Sequence, residues 1–588
     1  MSPGSPAGVG LPLGTAAQAV RDRPPSPTRG WPDLSAVAFV AVGILLGALV
    51  LMPLGWLGYF ALTDASGSPT VANLWTLVSD PALRDPFLTT LSIAVGSAVA
   101  ACVVAAPVAV LVARTDMPFR GTVRALVTAS FVTPPFLGAI AWELLAAPNS
   151  GMLNVLARHL LGLEDFDYVF DIYTQTGVVF AITCYAFPFV FTLLTNALER
   201  VPADLEDASA ILGGGWGATM RRVTLPLVLP AMLAGGLVAF MQALTVFGTP
   251  AILAMPGGFH TLTTRIWSLF QYPPQTNLAA AAAVPLLVIT AAVLGLQRWL
   301  LGRRSFVVVG GKNSPARRAK LRGWRWPALL LCLVVLAMPV FLPYFALLKA
   351  AITKNLSDPL SWATLSFDHV RFALWDFSDT RRALVNTVVL GVGSATAVTA
   401  LALVVAYIAH RKVIPGHRVL GWLAMAPVAV PGIVMGVALF LVYARPPFVL
   451  YGTLWILLVG FVTMELPAGY QQVQAALTGL HVELEEASRI FGASRLRSLW
   501  QITAPLLRTT VVATWCIVFV GVIRELSATV LLTTSNTKVI SVVIYDLNES
   551  GDLGAISVLG IVLLLVSFAI IFLVNRLSRM GERQLAVP

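Results

Sequence analysis

Charge is scarce in this chain. Only 11% of its 588 residues are Asp, Glu, Lys or Arg, while 57% are hydrophobic and mean hydropathy is +0.82. A soluble protein of this length needs far more charge to cover its surface, so composition excludes a soluble enzyme or binding domain. Cysteine is scarce too. Cys102, Cys184, Cys332 and Cys516 are the whole set, and each falls in an apolar stretch where Cys acts as a small apolar residue. Neither a disulfide framework nor a metal-type spacing can be built from them. Catalytic signatures are missing: the chain holds no H-E-x-x-H, no G-x-S-x-G and no paired-carboxylate cluster. Gly310-Gly311-Lys312-Asn313 superficially resembles the end of a phosphate-binding loop. However, Phe306 stands where its first Gly belongs, and Asn313 where Ser or Thr should hold magnesium. No catalytic residue, metal or cofactor is expected on this chain, and His159, His260 and His369 receive no ligand role.

What the chain does have is long apolar runs. Crossing a bilayer takes about 20 mostly apolar residues, and about twelve stretches qualify, six in each half. They lie near 34–61, 87–113, 123–147, 175–198, 226–253 and 278–302, then 326–350, 383–409, 418–444, 450–475, 504–532 and 553–577. The expected fold is an all-α polytopic membrane protein. Its divisions are a disordered tail 1–33, a transmembrane domain 34–302, a basic linker 303–325, a second transmembrane domain 326–577 and a tail 578–588. The first apolar stretch lacks a convincing cleavage site and reads as a retained span.

Lys and Arg gather in alternate loops, which sets orientation because short cytoplasmic loops keep positive charge. Arg114, Arg120 and Arg124, then Arg411, Lys412 and Arg418, fall on one side with the linker. Asp80, Asp85, Glu164, Asp167, Asp171, Asp546, Glu549 and Asp552 fall on the other. Both termini are expected in the cytoplasm. The net charge of +11 is thereby explained by topology, and no nucleic-acid partner is needed.

One segment occurs twice. Asp207-Ala208-Ser209 with Gly213 and Pro226 returns as Glu486-Ala487-Ser488 with Gly492 and Pro505, at a constant offset of 279 (486 − 207). Between Ala197 and Leu227, eleven of 31 positions match their partner. Earlier landmarks also recur: Gly96-Ser97 with Gly393-Ser394, Pro118 with Pro415 and Pro134 with Pro431, at 297 (431 − 134). The first half therefore holds 18 extra residues (297 − 279), placed in the outer loop 148–173. An even number of spans per half makes the two halves parallel repeats about an axis along the membrane normal. In each copy of the segment, acids open a short helix: Asp204, Glu206 and Asp207, then Glu483, Glu485 and Glu486. The small residues Ala208 and Ser209, Ala487 and Ser488 keep one face thin, and Gly213 and Gly492 allow a sharp turn. Pro226 and Pro505 suit the first turn of the membrane helix that follows. The expectation is a small rigid knob at the cytoplasmic surface of each half.

The pattern Glu-Ala-Ala-x-x-x-Gly, with Pro thirteen residues after the Gly, resembles the cytoplasmic loop of the membrane subunits of binding-protein-dependent ABC importers. The resemblance covers roughly 34–577, with Asp207 in place of Glu and Ser209 and Ser488 in place of the second Ala. It implies a type I importer transmembrane-domain fold in a bacterial inner membrane. It also implies a homodimer of cytoplasmic ATPase subunits that carries ATP and magnesium, and an external substrate-binding protein. The coupling residues it implies are Glu206, Asp207, Ala208, Ser209, Gly213, Pro226, Glu485, Glu486, Ala487, Ser488, Gly492 and Pro505. A six-plus-six secondary transporter would share the repeats but leaves the two acidic-Ala-Ser…Gly…Pro segments unexplained.

Fused halves and the stretch Arg524-Glu525-Leu526-Ser527-Ala528-Thr529 resemble ferric-iron uptake permeases, with thiamine and aminoethylphosphonate permeases similar enough to stay open. Ionisable residues inside spans are costly and mark candidate sites. Here they are Glu143, Glu465, Arg524 and Glu525, of which Glu465, Arg524 and Glu525 have uncharged partners in the first half.

Overall fold

A computed structural model describes residues 35–162, 164, 167–303, 318–356 and 360–585. The expected tail 1–33, most of the linker and the sequence around Gly310 lie outside the described residues. Among those described, helices form the architecture and the only bridges are three isolated pairs. Among the described residues nine helices are long and apolar enough to cross a membrane, and three bent pairs raise the possible spans to twelve.

The bent pairs come from proline and from a local unwinding. The expected third span is Arg120–Val132 followed by Pro135–Ala146 at 98°; its counterpart in the second half is His417–Ala429 followed by Gly432–Tyr443 at 111°. Both breaks sit at the repeated prolines. A proline pushes the residue before it out of the helical region, and Thr133 and Val430 are accordingly extended at ψ 126° and 112°. Pro135–Ala146 and Gly432–Tyr443 are buried on nearly every face, which a helix of this apolarity requires only when protein surrounds it. The third bent pair, Arg495–Leu506 and Arg508–Arg524 at 83°, has no match: the equivalent Trp216–Thr245 in the first half runs through as one helix.

The halves repeat the same packing. Pro81–Arg114 lies against Gln175–Arg200 and Trp216–Thr245, as Ser378–Arg411 lies against Leu454–Leu477 and Arg508–Arg524. Each half also reaches into the other. Ser35–Ala61 packs on Gly432–Tyr443, and Leu342–Ile352 packs on Pro135–Ala146, so each buried half-helix is covered by an opening helix of the opposite repeat.

The extra residues of the first half form a folded lobe. Residues 147–174 separate two helices where the second half uses only 444–453, a difference of 18. The lobe is built around Asn154, which is 0% exposed and is held wholly by main chain. Its Nδ2 donates to the carbonyls of Ala147 (3.0 Å) and Phe170 (2.7 Å), while its Oδ1 accepts from the amides of Val169 (3.0 Å) and Phe170 (2.9 Å). Asn154→Ala leaves these buried groups unpaired at a cost of about 1–3 kcal/mol. Protease cleavage within 148–173 is expected to accelerate about tenfold or more, by the usual conversion of free energy to rate. Unchanged protection in timed proteolysis would show that the lobe is held by something else.

Candidate functional site

The repeated knobs stand at the end of the bundle where the basic loops gather. Their helices are Ala203–Ile211 and Glu483–Ile490. Each ends on a glycine in the left-handed region, Gly213 at φ 84° and Gly492 at φ 85°, a conformation that costs other residues roughly 1–2 kcal/mol. The closing bonds match. Gly214 N–H donates to Ser209 O (2.8 Å) and Ala493 N–H to Ser488 O (3.2 Å), the six-to-one bond of a glycine-terminated helix.

Beneath each knob lies a buried ion pair. In the first half Arg114 Nη2 donates to Glu206 Oε1 at 2.5 Å, and Thr224 Oγ1 donates to the same oxygen at 2.8 Å. In the second half Arg411 Nε and Nη2 donate to Glu485 Oε1 at 3.2 and 3.0 Å, joined by Thr503 Oγ1 at 3.0 Å. The Arg ends a long membrane helix, the Glu opens the knob helix, and the Thr stands two residues before the repeated proline. Glu206 and Glu485 are expected from the repeated segment, whereas Arg114 and Arg411 stand in the sequence only as orientation-setting charges and Thr224 and Thr503 carry no expectation. Arg114 and Arg411 recur at 297, and Thr224 and Thr503 at 279, so the repeat itself held the signal.

A second brace uses the small residues. Ser209 Oγ bonds Thr219 Oγ1 at 2.8 Å and Ser488 Oγ bonds Ser498 Oγ at 3.1 Å. The two serines therefore turn toward the following helix, while Ala208 and Ala487 stay exposed. Pro226 and Pro505 do not open their helical runs, which begin at Trp216 and Arg495. Each proline follows a π turn, Met220–Thr224 or Leu499–Thr503, closed by Leu225 N–H to Met220 O or Ala504 N–H to Leu499 O. The wide turn makes room for a ring that would clash with an α-helical carbonyl. Asp207 is half-buried and Glu486 exposed. The tips are apolar and open to solvent: Ile211 is 85% exposed, Leu212 87%, Ile490 83% and Phe491 92%. Apolar tips left uncovered in this way are the kind of surface that contacts proteins or membranes.

On the linker side, Asp116 accepts the Leu321 amide (2.8 Å) and pairs with Arg325. Those partners, the Leu321 amide first, hold the Asp116 carboxyl below its ordinary range.

The intramembrane candidates separate into two places. Glu143 is satisfied at the lobe end, where Tyr173 Oη donates to its Oε1 and Asn548 Nδ2 to its Oε2, both at 2.9 Å. Glu465, Arg524 and Glu525 instead line a central cavity of about 540 Å³ between the halves. The first half supplies Ala186, Gln242, Thr245 and Val246 to this cavity; their repeat partners are Glu465, Gly521, Arg524 and Glu525. Glu525 is tied down by the amides of Ala528 and Thr529 (2.9 and 3.1 Å), so it caps a short helix. The Glu465 carboxylate presses on Gly521, where an added Cβ would meet it at 2.5 Å. Arg524 keeps its Nε without a hydrogen-bond partner. The half-helices Pro135–Ala146 and Gly432–Tyr443 begin at this cavity. Among the described residues no group of three or more His, Cys, Asp or Glu could hold a metal ion.

A family model described as the binding-protein-dependent transport system inner membrane component matches residues 105–305 and 398–586. The ferric transport system permease protein FbpB of Actinobacillus pleuropneumoniae is 29% identical over 443 residues, 75% of this chain and 63% of that one. A putative ferric transport system permease of Haemophilus influenzae is 28% identical over 69% of this chain and 64% of its own length. This chain thus matches less than two thirds of the length of either relative. The molybdenum transport system permease protein ModB of Mycobacterium tuberculosis is 30% identical over 38% of this chain and 80% of its own. Among solved structures, a bacterial ABC transporter importing alginate aligns at TM-score 0.37 and 14% identity, over 46% of this chain and 96% of that one.

The buried pair makes a sharp prediction. Removing one partner strands a buried charge, so Arg411→Met or Glu485→Leu alone should destabilise the protein by about 3–5 kcal/mol. The two together should recover much of that loss. Thermal unfolding of the purified protein reads all three, and a double variant no better than Glu485→Leu alone would show that the two side chains do not act as a pair.

Proposed function

The chain belongs to the binding-protein-dependent transport system inner membrane component family, and from that premise we propose that it is the membrane-spanning permease component of an ATP-driven importer, with both coupling loops on one chain. The observation that carries the reading is the doubly braced knob, present twice with an apolar tip. The two knobs dock in clefts on a homodimer of cytoplasmic ATPase subunits, which carry the ATP and magnesium. Closure of that dimer pulls the knobs, and the buried Arg–Glu pairs pass the pull to Pro81–Arg114 and Ser378–Arg411. Basic loops on the knob side support a cytoplasmic position for the knobs and both termini. Substrate arrives on the opposite face from an external binding protein and leaves through the central cavity.

Ferric iron is the cargo we favour, supported by the two ferric relatives. In this reading the binding protein selects and the cavity only passes. A second reading, an oxyanion such as a phosphonate, is favoured by the unpartnered Arg524 Nε in the cavity and by the half-helix N-termini that begin there.

The test is uptake of labelled ferric iron by cells with the gene deleted, restored, or restored as Gly492→Asp. Asp tolerates the left-handed region better than most residues, so the variant should insert normally while placing a charge at the docking tip. Iron uptake should vanish on deletion and return about tenfold or more higher with the unmutated gene than with Gly492→Asp. Competition by unlabelled phosphonate or thiamine would move the cargo to those solutes. Uptake that persists without a separate ATPase and collapses with the ion gradient would support a secondary transporter instead. Glu486→Lys should impair transport more than Asp207→Lys, because Glu486 is the more exposed of the two; equal defects would remove that asymmetry.

A further inference from the structure

The two buried arginines are repeat partners but are not used alike. Arg411 engages Glu485 through Nε and Nη2, and its Nη2 also donates to Leu480 O at 3.1 Å. Arg114 engages Glu206 through Nη2 alone, and its Nε and Nη1 are buried with no partner although the residue is 1% exposed. An unpaired guanidinium donor in such a place is expensive, and an arrangement of this kind calls for an acceptor.

A pocket of about 660 Å³ opens beside it. Arg114 lines it from the bundle, Glu206 from the knob helix, Trp216 and Thr219 from the helix that follows the knob, and Arg318 and Lys320 from the linker between the halves. The linker is fixed there by main chain: Ala319 N–H donates to Arg114 O (2.8 Å) and Asp116 N–H to Ala319 O (3.1 Å). The second half differs at this wall. Its residue equivalent to Trp216 is Arg495, whose Nη1 closes on Val413 O at 3.0 Å.

We propose that this pocket is a binding site for a phosphate group, received by the spare donors of Arg114 and enclosed by Arg318 and Lys320. Arg114, Arg318 and Lys320 face a single carboxylate here, Glu206, so the lining is cationic before a ligand arrives. Guanidinium donors match phosphate oxygens in geometry as well as charge. Two sources carry that group. One is the headgroup of an anionic lipid, which the neighbouring Trp324 and Trp326, 74% and 65% exposed, would meet at the membrane surface. The other is free phosphate in solution. Either way the occupant ties the linker to the first knob and leaves the second untouched. The site does not depend on the transport reading.

Binding to the full-length purified protein tests this directly. One arm titrates inorganic phosphate against chloride at constant ionic strength and follows thermal unfolding. The other delipidates the protein, returns phosphatidylglycerol or phosphatidylcholine, and counts retained lipid by native mass spectrometry. Arg318→Ala/Lys320→Ala removes two exposed charges worth about 1 kcal/mol each, so affinity should fall about thirtyfold. Arg221→Ala/Arg222→Ala removes the same charge from exposed positions that do not line the pocket and should change little. Saturable stabilisation by phosphate identifies the soluble source, and selective retention of phosphatidylglycerol identifies the lipid. No saturable binding of either probe, or an equal loss in both variants, overturns the proposal.

Discussion

The bond between the arginine that ends a membrane helix and the glutamate that opens a knob is the constraint on which the rest of this structure depends. Both groups are charged and nearly out of contact with water, so neither can relax into solvent when the other moves. A buried pair of this kind adds little net stability over an apolar one, yet losing half of it is severe. Its value here is mechanical. A knob held only by apolar contacts could roll against the helix end, whereas one held by a directional charged bond, a threonine on the same oxygen and a serine brace moves with the helix. Under the proposed function, that lets a short surface helix transmit displacement into a bundle.

Much of this was legible in the sequence, and the part that was not has a physical reason. Apolar length located the nine long helices and the three bent pairs of the described residues, and the offset of 279 located both knobs, since each knob needs acids, small residues and a glycine at fixed places. The breaks at Thr133 and Val430 were less visible. Pro134 and Pro431 were noticed as a matched pair, but a hydropathy run reads the same whether the helix crosses straight or doubles back by about a right angle. The unwinding at Leu507 was invisible: Pro226 and Pro505 are equivalent, yet one run stays straight and the other bends 83°. The partners Arg114 and Arg411 were missed for a different reason. They were counted as loop charges fixing orientation, and charge bias says nothing about which members fold inward.

The two braces explain how the prolines are tolerated. A proline inside a helix forfeits an amide and forces its ring at a carbonyl one turn back. In both halves a π turn precedes the proline and places Thr224 or Thr503 where its hydroxyl reaches the glutamate. The irregular turn therefore serves two ends: it admits the ring and aims the third member of the charged cluster. Irregularity at a helix start is often a sign of such a dual demand.

Duplication leaves each half free to drift wherever a single copy suffices, and the cavity records the result. Repeat partners face each other across it, but the charged side chains all come from the second half. The same three charged residues on both equivalent sides would have faced their own kind across a low-dielectric gap, and like charges at that range are costly. Confining Glu465, Arg524 and Glu525 to one side avoids that repulsion and gives the cavity a charged wall opposite a neutral one. Glu525 is then removed from play by capping a helix, leaving Glu465 and Arg524 as the charges open to the space between the halves. The asymmetry at the centre of the bundle thus has the same origin as the asymmetry at the knobs, where Arg114 leaves buried donors unpaired and Arg411 does not: a repeat fixes positions, and each copy is then free to spend its side chains differently.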